Sequence, residues 1–380
     1  MRAPLDSFGL PPIAFSAAVA LLFAALSWPL YGIDVQNYLL PWFGHIRATG
    51  PVAAFAEPFG NYSPPYLYLM AAVSPLAGLI EAPALLKLLS FAGHLVLVAA
   101  AARLLRTLGH AHPWRAAACI GLAPSLFVNP AILVQCDALW AAALLVALTA
   151  AIDRRHAAMF GWCGLAFAIK LQAGFAAPFF LALALARHVP LRLWLFAPLM
   201  AFATLVPAWA MGWPLADLLG IYLRQSQFDI TQPLNAPNIW TILAVLPAGG
   251  LLVGMAAPAA AAAALGYVAL FRQRLAEADP VVLIRAALLC ALIVPGLLPR
   301  MHERYFFLSD LLALLLVLCR PAEWRVALFT QLGSCFAIFA YLSGISGFAS
   351  IGGAMMLVAT WLLVREIGFR PAERYLAVRR

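Results

Sequence analysis

Asp34 stands just past the first apolar run, in PLYGIDVQNYLLPWF. A carboxylate held at a membrane surface suits general-base work, taking a proton from a hydroxyl as that hydroxyl attacks. The following VQNYLLPWFGHI is amphipathic, carries Tyr and Trp, and suits a helix lying in the interface, which would hold Asp34 there. The plainer reading is a solvated loop carboxylate. A second polar group falls in LLPRMHERYFF (Leu297–Phe307), where Arg300, His302, Glu303 and Arg304 crowd between two apolar runs. Arg meets phosphate with paired N–H bonds, and His302 can give or take a proton near neutral pH. The plainer reading is an ordinary charged turn. Lys170 and Gln172 lie in the deeply apolar AFAIKLQAGFAA. A lysine there suits a phosphate as a point charge, although snorkelling to the interface would also explain it. Gln135 and Asp137 lie in LVQCDALW. An acid near bilayer depth is costly and points to function, while Asp137 equally fits an N-cap for ALWAAALL. Tyr62, with Tyr66 and Tyr68 in GNYSPPYLYL, suits the headgroup level or an aromatic belt. The double Pro there fixes an extended approach to an interfacial helix.

Apolar elements must position these residues. Of 380 residues, 65% are hydrophobic and 10% charged, with mean hydropathy +0.94. A soluble domain is nearer half apolar and about a quarter charged. The excess falls in runs of about 20 residues, the length that crosses a hydrocarbon core. The fold class is therefore all-α and polytopic, and no polar stretch is long enough for a separate soluble domain, so 1–380 reads as a single transmembrane domain. A net charge of +9 would suggest nucleic acid in a soluble chain. Here 22 of the 24 basic residues are Arg, mostly flanking the spans, so they fix topology and no nucleic-acid partner is expected. Cys119, Cys136, Cys163, Cys290, Cys319 and Cys335 are scattered through apolar runs without metal-ligand spacing and read as small hydrophobes. The first run leads into WPLYGID without a small-residue cleavage site, so it reads as a span rather than a removed signal peptide.

The positive-inside rule then orients the spans. Pro12–Tyr31 leads to an external loop, 32–82, with interfacial helices, and Pro83–Leu105 returns to RLLRTLGHAHPWR. Spans at 116–131 and 136–152 bracket an external VQCD turn. The segment 157–187 crosses twice as two short helices meeting near IKLQ. After 193–211 comes a second external loop, 212–237, then a return to FRQR, spans at 281–299 and 305–319, and two last spans. About 11–13 transmembrane helices result, with both termini cytoplasmic. Eighteen basic residues then lie at or near the inner face, and six, namely Arg47, Lys87, Lys170, Arg224, Arg300 and Arg304, at or near the outer one. Arg should be scarce outside. That bias turns Arg300 and Arg304 from topology markers into phosphate ligands, and it puts Lys170 at the mouth of an external cavity.

An Asp shortly after span one, a YxPPY-type string, a QxD between short spans, a K-x-Q pair and the HERYFF turn, in that order, together resemble the GT-C membrane glycosyltransferases. The likeness covers positions 30 to 305, and APNIW (236–240) looks like the family's N-x-W element. The nearest relatives implied are bacterial polyprenyl-phosphate-sugar-dependent transferases, with a more distant likeness to the dolichyl-phosphate-glucose enzymes. The resemblance implies a GT-C type fold in a bacterial cytoplasmic membrane, with the active site external. It implies inverting transfer from a polyprenyl-phosphate-linked sugar to a hydroxyl of a lipid-linked glycan, glycolipid or cell-envelope polymer. It makes Asp34 the base, places His302, Glu303 and Arg304 near the donor phosphate, and matches Lys170 and Gln172 to the K-x-Q pair. A D-x-D or E-x-D pair is missing after span one, and a lone Asp34 is a poor divalent-ion site, so no metal or other cofactor is expected. A lipid-phosphate or oligosaccharide transporter would also explain a cationic outer pocket, but the chain shows no strict internal repeat. An acyltransferase is disfavoured because no H-x-x-x-D string surrounds His302.

Overall fold

A computed structural model describes residues 10–226, 234–244 and 253–367. The termini expected on the cytoplasmic side, and residues 227–233 of the expected 212–237 loop, lie outside the described residues. Among the described residues the structure is 79% helix and has no strand, so the all-α expectation holds there.

Among the described residues, five helices are long and apolar enough to cross a membrane: Ala82–Thr107, Leu191–Ala210, Pro280–Leu297, Pro321–Ser343 and Gly347–Glu366. The pair Pro113–Gly121 and Pro124–Leu133, bent by 64°, would make a sixth. Six further apolar helices have only 10–17 residues. Of the 11–13 spanning helices expected, five or six are of full length among the described residues, and the other apolar helices there are shorter. A 16-residue helix reaches only about 24 Å, against a core of about 30 Å. The runs are cut by residues that stop helices. Pro113 and Pro124 each open a new first turn, and Lys170, in extended backbone, ends His156–Ile169. That break falls where the sequence places the junction of two short helices.

The chain divides into two compact units, Met1–Gly174 with Val189–Thr231, and Phe175–His188 with Gln232–Arg380. In the first, Ala82–Thr107 packs on Asp137–Ile152, which packs on His156–Ile169, which packs on Phe196–Ala210. Gly164 permits the last crossing, because a Cβ there would fall 2.1 Å from the Ala197 carbonyl oxygen. Small residues allow such close backbone approach between apolar helices.

The expected 32–82 loop forms helices, including Leu40–Thr49, preceded by a π turn over Val35–Leu39, and Pro64–Val73. Ser63 takes extended backbone before the two prolines of the first turn, as their sterics require. Trp42, Phe43, Phe55, Tyr66, Met70 and Trp213 are buried in one core, so part of this aromatic set is interior rather than a belt. Tyr68 has a specific task. Its hydroxyl donates to the Thr204 carbonyl (3.0 Å) and accepts from the Ala208 amide (2.8 Å). Those two backbone groups would bond each other in an uninterrupted helix. A side chain is thereby inserted into the ladder of Phe196–Ala210, next to Pro207.

In the second unit, Pro280–Leu297 packs against Phe307–Cys319, Ala256–Phe271 and Gly347–Ile367. Trp324–Ser343 and Gly347–Ile367 form a hairpin in which a Cβ on Gly352 would lie 2.6 Å from the Gly333 carbonyl oxygen. Arg285, read from sequence as an inner-face topology marker, is buried and ion-paired with buried Glu323.

Candidate functional site

The first unit holds Asp34, Tyr62, Gln135, Asp137, Lys170 and Gln172; the second holds Arg300, His302, Glu303 and Arg304.

Asp34 is half-buried, in helical backbone immediately before the π turn. Two backbone bonds fix its approach: the Gly32 amide donates to the Ile132 carbonyl and the Val35 amide to the Gly32 carbonyl, both at 3.0 Å. The first of these ties the Asp34 segment to the run leading to Gln135. Upstream, Lys87 donates to the carbonyls of Ser27 (3.0 Å), Trp28 (2.8 Å) and Leu30 (2.7 Å). These carbonyls follow the end of Leu10–Leu26, where a cation is favoured, and three acceptors satisfy all three ammonium donors. The sequence reading counted Lys87 only as an outer-face exception. It is a buried brace for the turn that leads to Asp34, and its signal was a lysine inside an apolar run of a chain with only two.

Four of the candidates meet in one buried cluster. Lys170 Nζ lies 2.7 Å from Asp137 Oδ1 and 3.3 Å from Gln135 Oε1. Tyr62 donates its hydroxyl to that Gln135 oxygen at 3.0 Å, and the ammonium lies 5.4 Å from the centre of the Tyr62 ring. Asp137 also accepts from Asn129 Nδ2 and Trp140 Nε1, each at 2.9 Å. Two expectations change. Lys170 is 4% exposed and bonded to Asp137, so it is not at the mouth of a cavity. Asp137 is the first residue of Asp137–Ile152 rather than its N-cap, and its carboxylate turns to Lys170, Asn129 and Trp140.

Gln172 is buried nearby in sequence. Its Oε1, together with Tyr66 Oη and Asn129 Oδ1, has no hydrogen-bond partner among the described residues. Val134, just before Gln135, adopts φ 53°, a left-handed conformation that a β-branched residue rarely takes.

In the second unit, APNIW clamps the charged turn. Asn238 Oδ1 accepts from the amides of Trp240 (3.0 Å) and Thr241 (3.3 Å), capping Ile239–Leu243. Its Nδ2 donates to the Leu298 carbonyl at 3.1 Å, and Trp240 Nε1 donates to the Leu297 carbonyl at 2.8 Å. These are carbonyls that the end of Pro280–Leu297 leaves open. Beyond the clamp, His302 forms a bridge with Asn235. Glu303 is fully buried and accepts from Arg304 Nη1 at 2.6 Å, while His302 Nδ1 stands 3.7 Å from its other oxygen. Burial alone would raise the Glu303 pKa. Arg304 and then His302 outweigh it and hold the carboxyl down at about 2. A buried acid this strong is a poor proton acceptor, so Glu303 aims Arg304 rather than acting as a base. Arg300 is exposed and held at φ 59°.

Among the described residues, His, Cys, Asp and Glu do not gather into a group of three or more that could hold a metal ion. Compared with known proteins, the chain matches no family model and no curated sequence.

Proposed function

We propose that this membrane protein is an inverting glycosyltransferase. It moves a sugar from a polyprenyl-phosphate donor to an acceptor hydroxyl at the external face of a bacterial cytoplasmic membrane, without a metal. The observation that carries the reading is the 300–304 turn. There an exposed Arg300 is kept in a conformation unfavourable to L-residues, and Arg304 is aimed by a buried, ionised Glu303. Two arginines so fixed suit a lipid-linked phosphate.

Asp34 takes the proton of the acceptor hydroxyl as that oxygen bonds to the anomeric carbon. The bond from the anomeric carbon to the phosphate oxygen breaks, and its electron pair leaves with the polyprenyl phosphate. Arg300 and Arg304 stabilise the charge that grows there. One displacement inverts the anomeric centre. Lys170 no longer serves as a phosphate ligand in this scheme. Its charge is spent on Asp137, and with Gln135 and Tyr62 it positions the segment that carries Gln135.

The test is transfer by purified protein from a polyprenyl-phosphate sugar of known configuration, read by the anomeric NMR coupling of the product. The expected product is inverted. A retained product would overturn the mechanism. The bent pair Pro113–Leu133 is the feature that favours a transporter; lipid-linked sugar moving across vesicles with no transfer would select that reading instead.

Arg300 allows a second check. The left-handed backbone costs an L-residue about 1–2 kcal/mol, a strain glycine escapes. Arg300→Gly is therefore expected to leave the unfolding midpoint unchanged or raised, while donor kcat/KM falls about 10–100-fold for a lost charged contact. Unchanged kcat/KM would remove Arg300 from the donor site.

A further inference from the structure

The first unit contains an open cleft of about 380 Å³, lined among others by Tyr38, Trp42, Phe59, Asn61, Asp217 and Arg224. We infer that this cleft binds a neutral saccharide portion of the acceptor, so the acceptor already carries sugar when it meets the enzyme. The inference rests on the glycosyltransferase reading and names its acceptor class.

Three observations support it. The first is the wall. Tyr38 and Trp42 are neighbours with ring centres 6.0 Å apart, and Trp42 also touches Tyr62 at 5.1 Å. Aromatic faces are electron-rich and match the C–H face of a pyranose ring. Tyr38 is 39% exposed, a large apolar surface left open at the rim.

The second is the opposite chemistry. Asp217 and Arg224 lie two turns apart on Leu215–Ser226, with Arg224 Nη1 3.2 Å from Asp217 Oδ1 and both side chains near half exposed. An exposed pair of this kind adds about 0–1 kcal/mol to stability, so its worth to the fold is small. Together the two offer acceptors and donors, which a sugar hydroxyl can use on both counts. Their charges cancel, and a phosphate entering here would meet a carboxylate. A neutral polyol fits better than an anion.

The third is position. Asp34, Tyr38 and Trp42 are spaced by four residues along one helical segment, so they fall on one side of it. The aromatic wall therefore begins one turn from the candidate base. Gln225 donates through Nε2 to the Asn61 carbonyl, which ties the Leu215–Ser226 helix to the loop forming the other part of the lining. The volume lies within the range of ligand sites, about 300–1,000 Å³.

The experiment uses the full chain in lipid nanodiscs free of sugar-based detergent. Saturation-transfer NMR measures binding of maltotriose, mannotriose and triacetylchitotriose, with glycerol phosphate as an anionic competitor. At least one trisaccharide is expected to bind. Tyr38→Ala and Asp217→Asn should each weaken it at least about 10-fold, with unfolding midpoints little changed because Tyr38 is exposed and Asp217 partly so. Glycerol phosphate should not displace it. The proposal is overturned by no binding of any trisaccharide to the wild type, by binding that both variants leave intact, or by displacement with glycerol phosphate. Donor transfer is measured separately in the same discs. Loss of transfer with saccharide binding intact counts against the transferase reading alone, and transfer without saccharide binding counts against the cleft alone.

Discussion

Asp34→Asn is expected to lower kcat for transfer by about 10²–10⁴-fold, the usual worth of a positioned general base. Asparagine keeps the size and most of the hydrogen bonding of the side chain, but it cannot take a proton. The position is half-buried and its backbone is fixed by Gly32, Ile132 and Val35, none of which the change touches. A melting curve separates loss of the base from loss of the fold. KM for the donor should hold, since the phosphate contacts are assigned to Arg300 and Arg304. The measurement is a steady-state assay with lipid-linked donor, paired with a melting curve. An enzyme that turns over at the wild-type rate would show that another group, or water, takes the proton.

The second large effect concerns the buried pair. Lys170→Met leaves the Asp137 carboxylate with Asn129 and Trp140 but without its counter-ion, at 1% exposure. Removing one partner of a buried pair costs about 3–5 kcal/mol, because the remaining charge is uncompensated. Asp137→Asn should cost about as much, stranding the ammonium. The double variant Lys170→Met with Asp137→Asn should regain a large part of the loss, since contacting residues are strongly non-additive. Thermal unfolding of the three variants tests this. A Lys170→Met protein that melts like the wild type and only binds donor less tightly would restore Lys170 to the role of phosphate ligand.

What could be read in the sequence were features set by the local chain. The apolar runs became helices close to their expected limits, the two prolines of GNYSPPYLYL produced an extended Ser63 and a helix after it, and the polar Lys170 marked a break. What escaped were pairings set by tertiary packing. Lys170 and Asp137 are 33 residues apart, Tyr62 and Gln135 are 73 apart, and neither spacing has a motif. Counting charges for topology also treats each Arg or Lys as solvated. Lys87 and Arg285 break that assumption, one by satisfying the carbonyls past a helix end and the other by pairing with Glu323. Helix length was not legible for a related reason. An apolar run records what can be buried, whereas Pro124 and Lys170 decide where the helix stops. In the charged turn the residue types were legible, but the division of labour was not. Burial separates Glu303, the brace, from Arg300, the exposed cation.

Tyr68 works like a bolt in a latch. While its hydroxyl stays between Thr204 and Ala208, the ladder of Phe196–Ala210 is held open by Pro64–Val73. Withdrawing it gives up two hydrogen bonds and lets the two backbone groups join directly, a net change of about 1 kcal/mol at the usual worth of one such bond. One side chain of Pro64–Val73 therefore holds the backbone of Phe196–Ala210 at little cost in either direction.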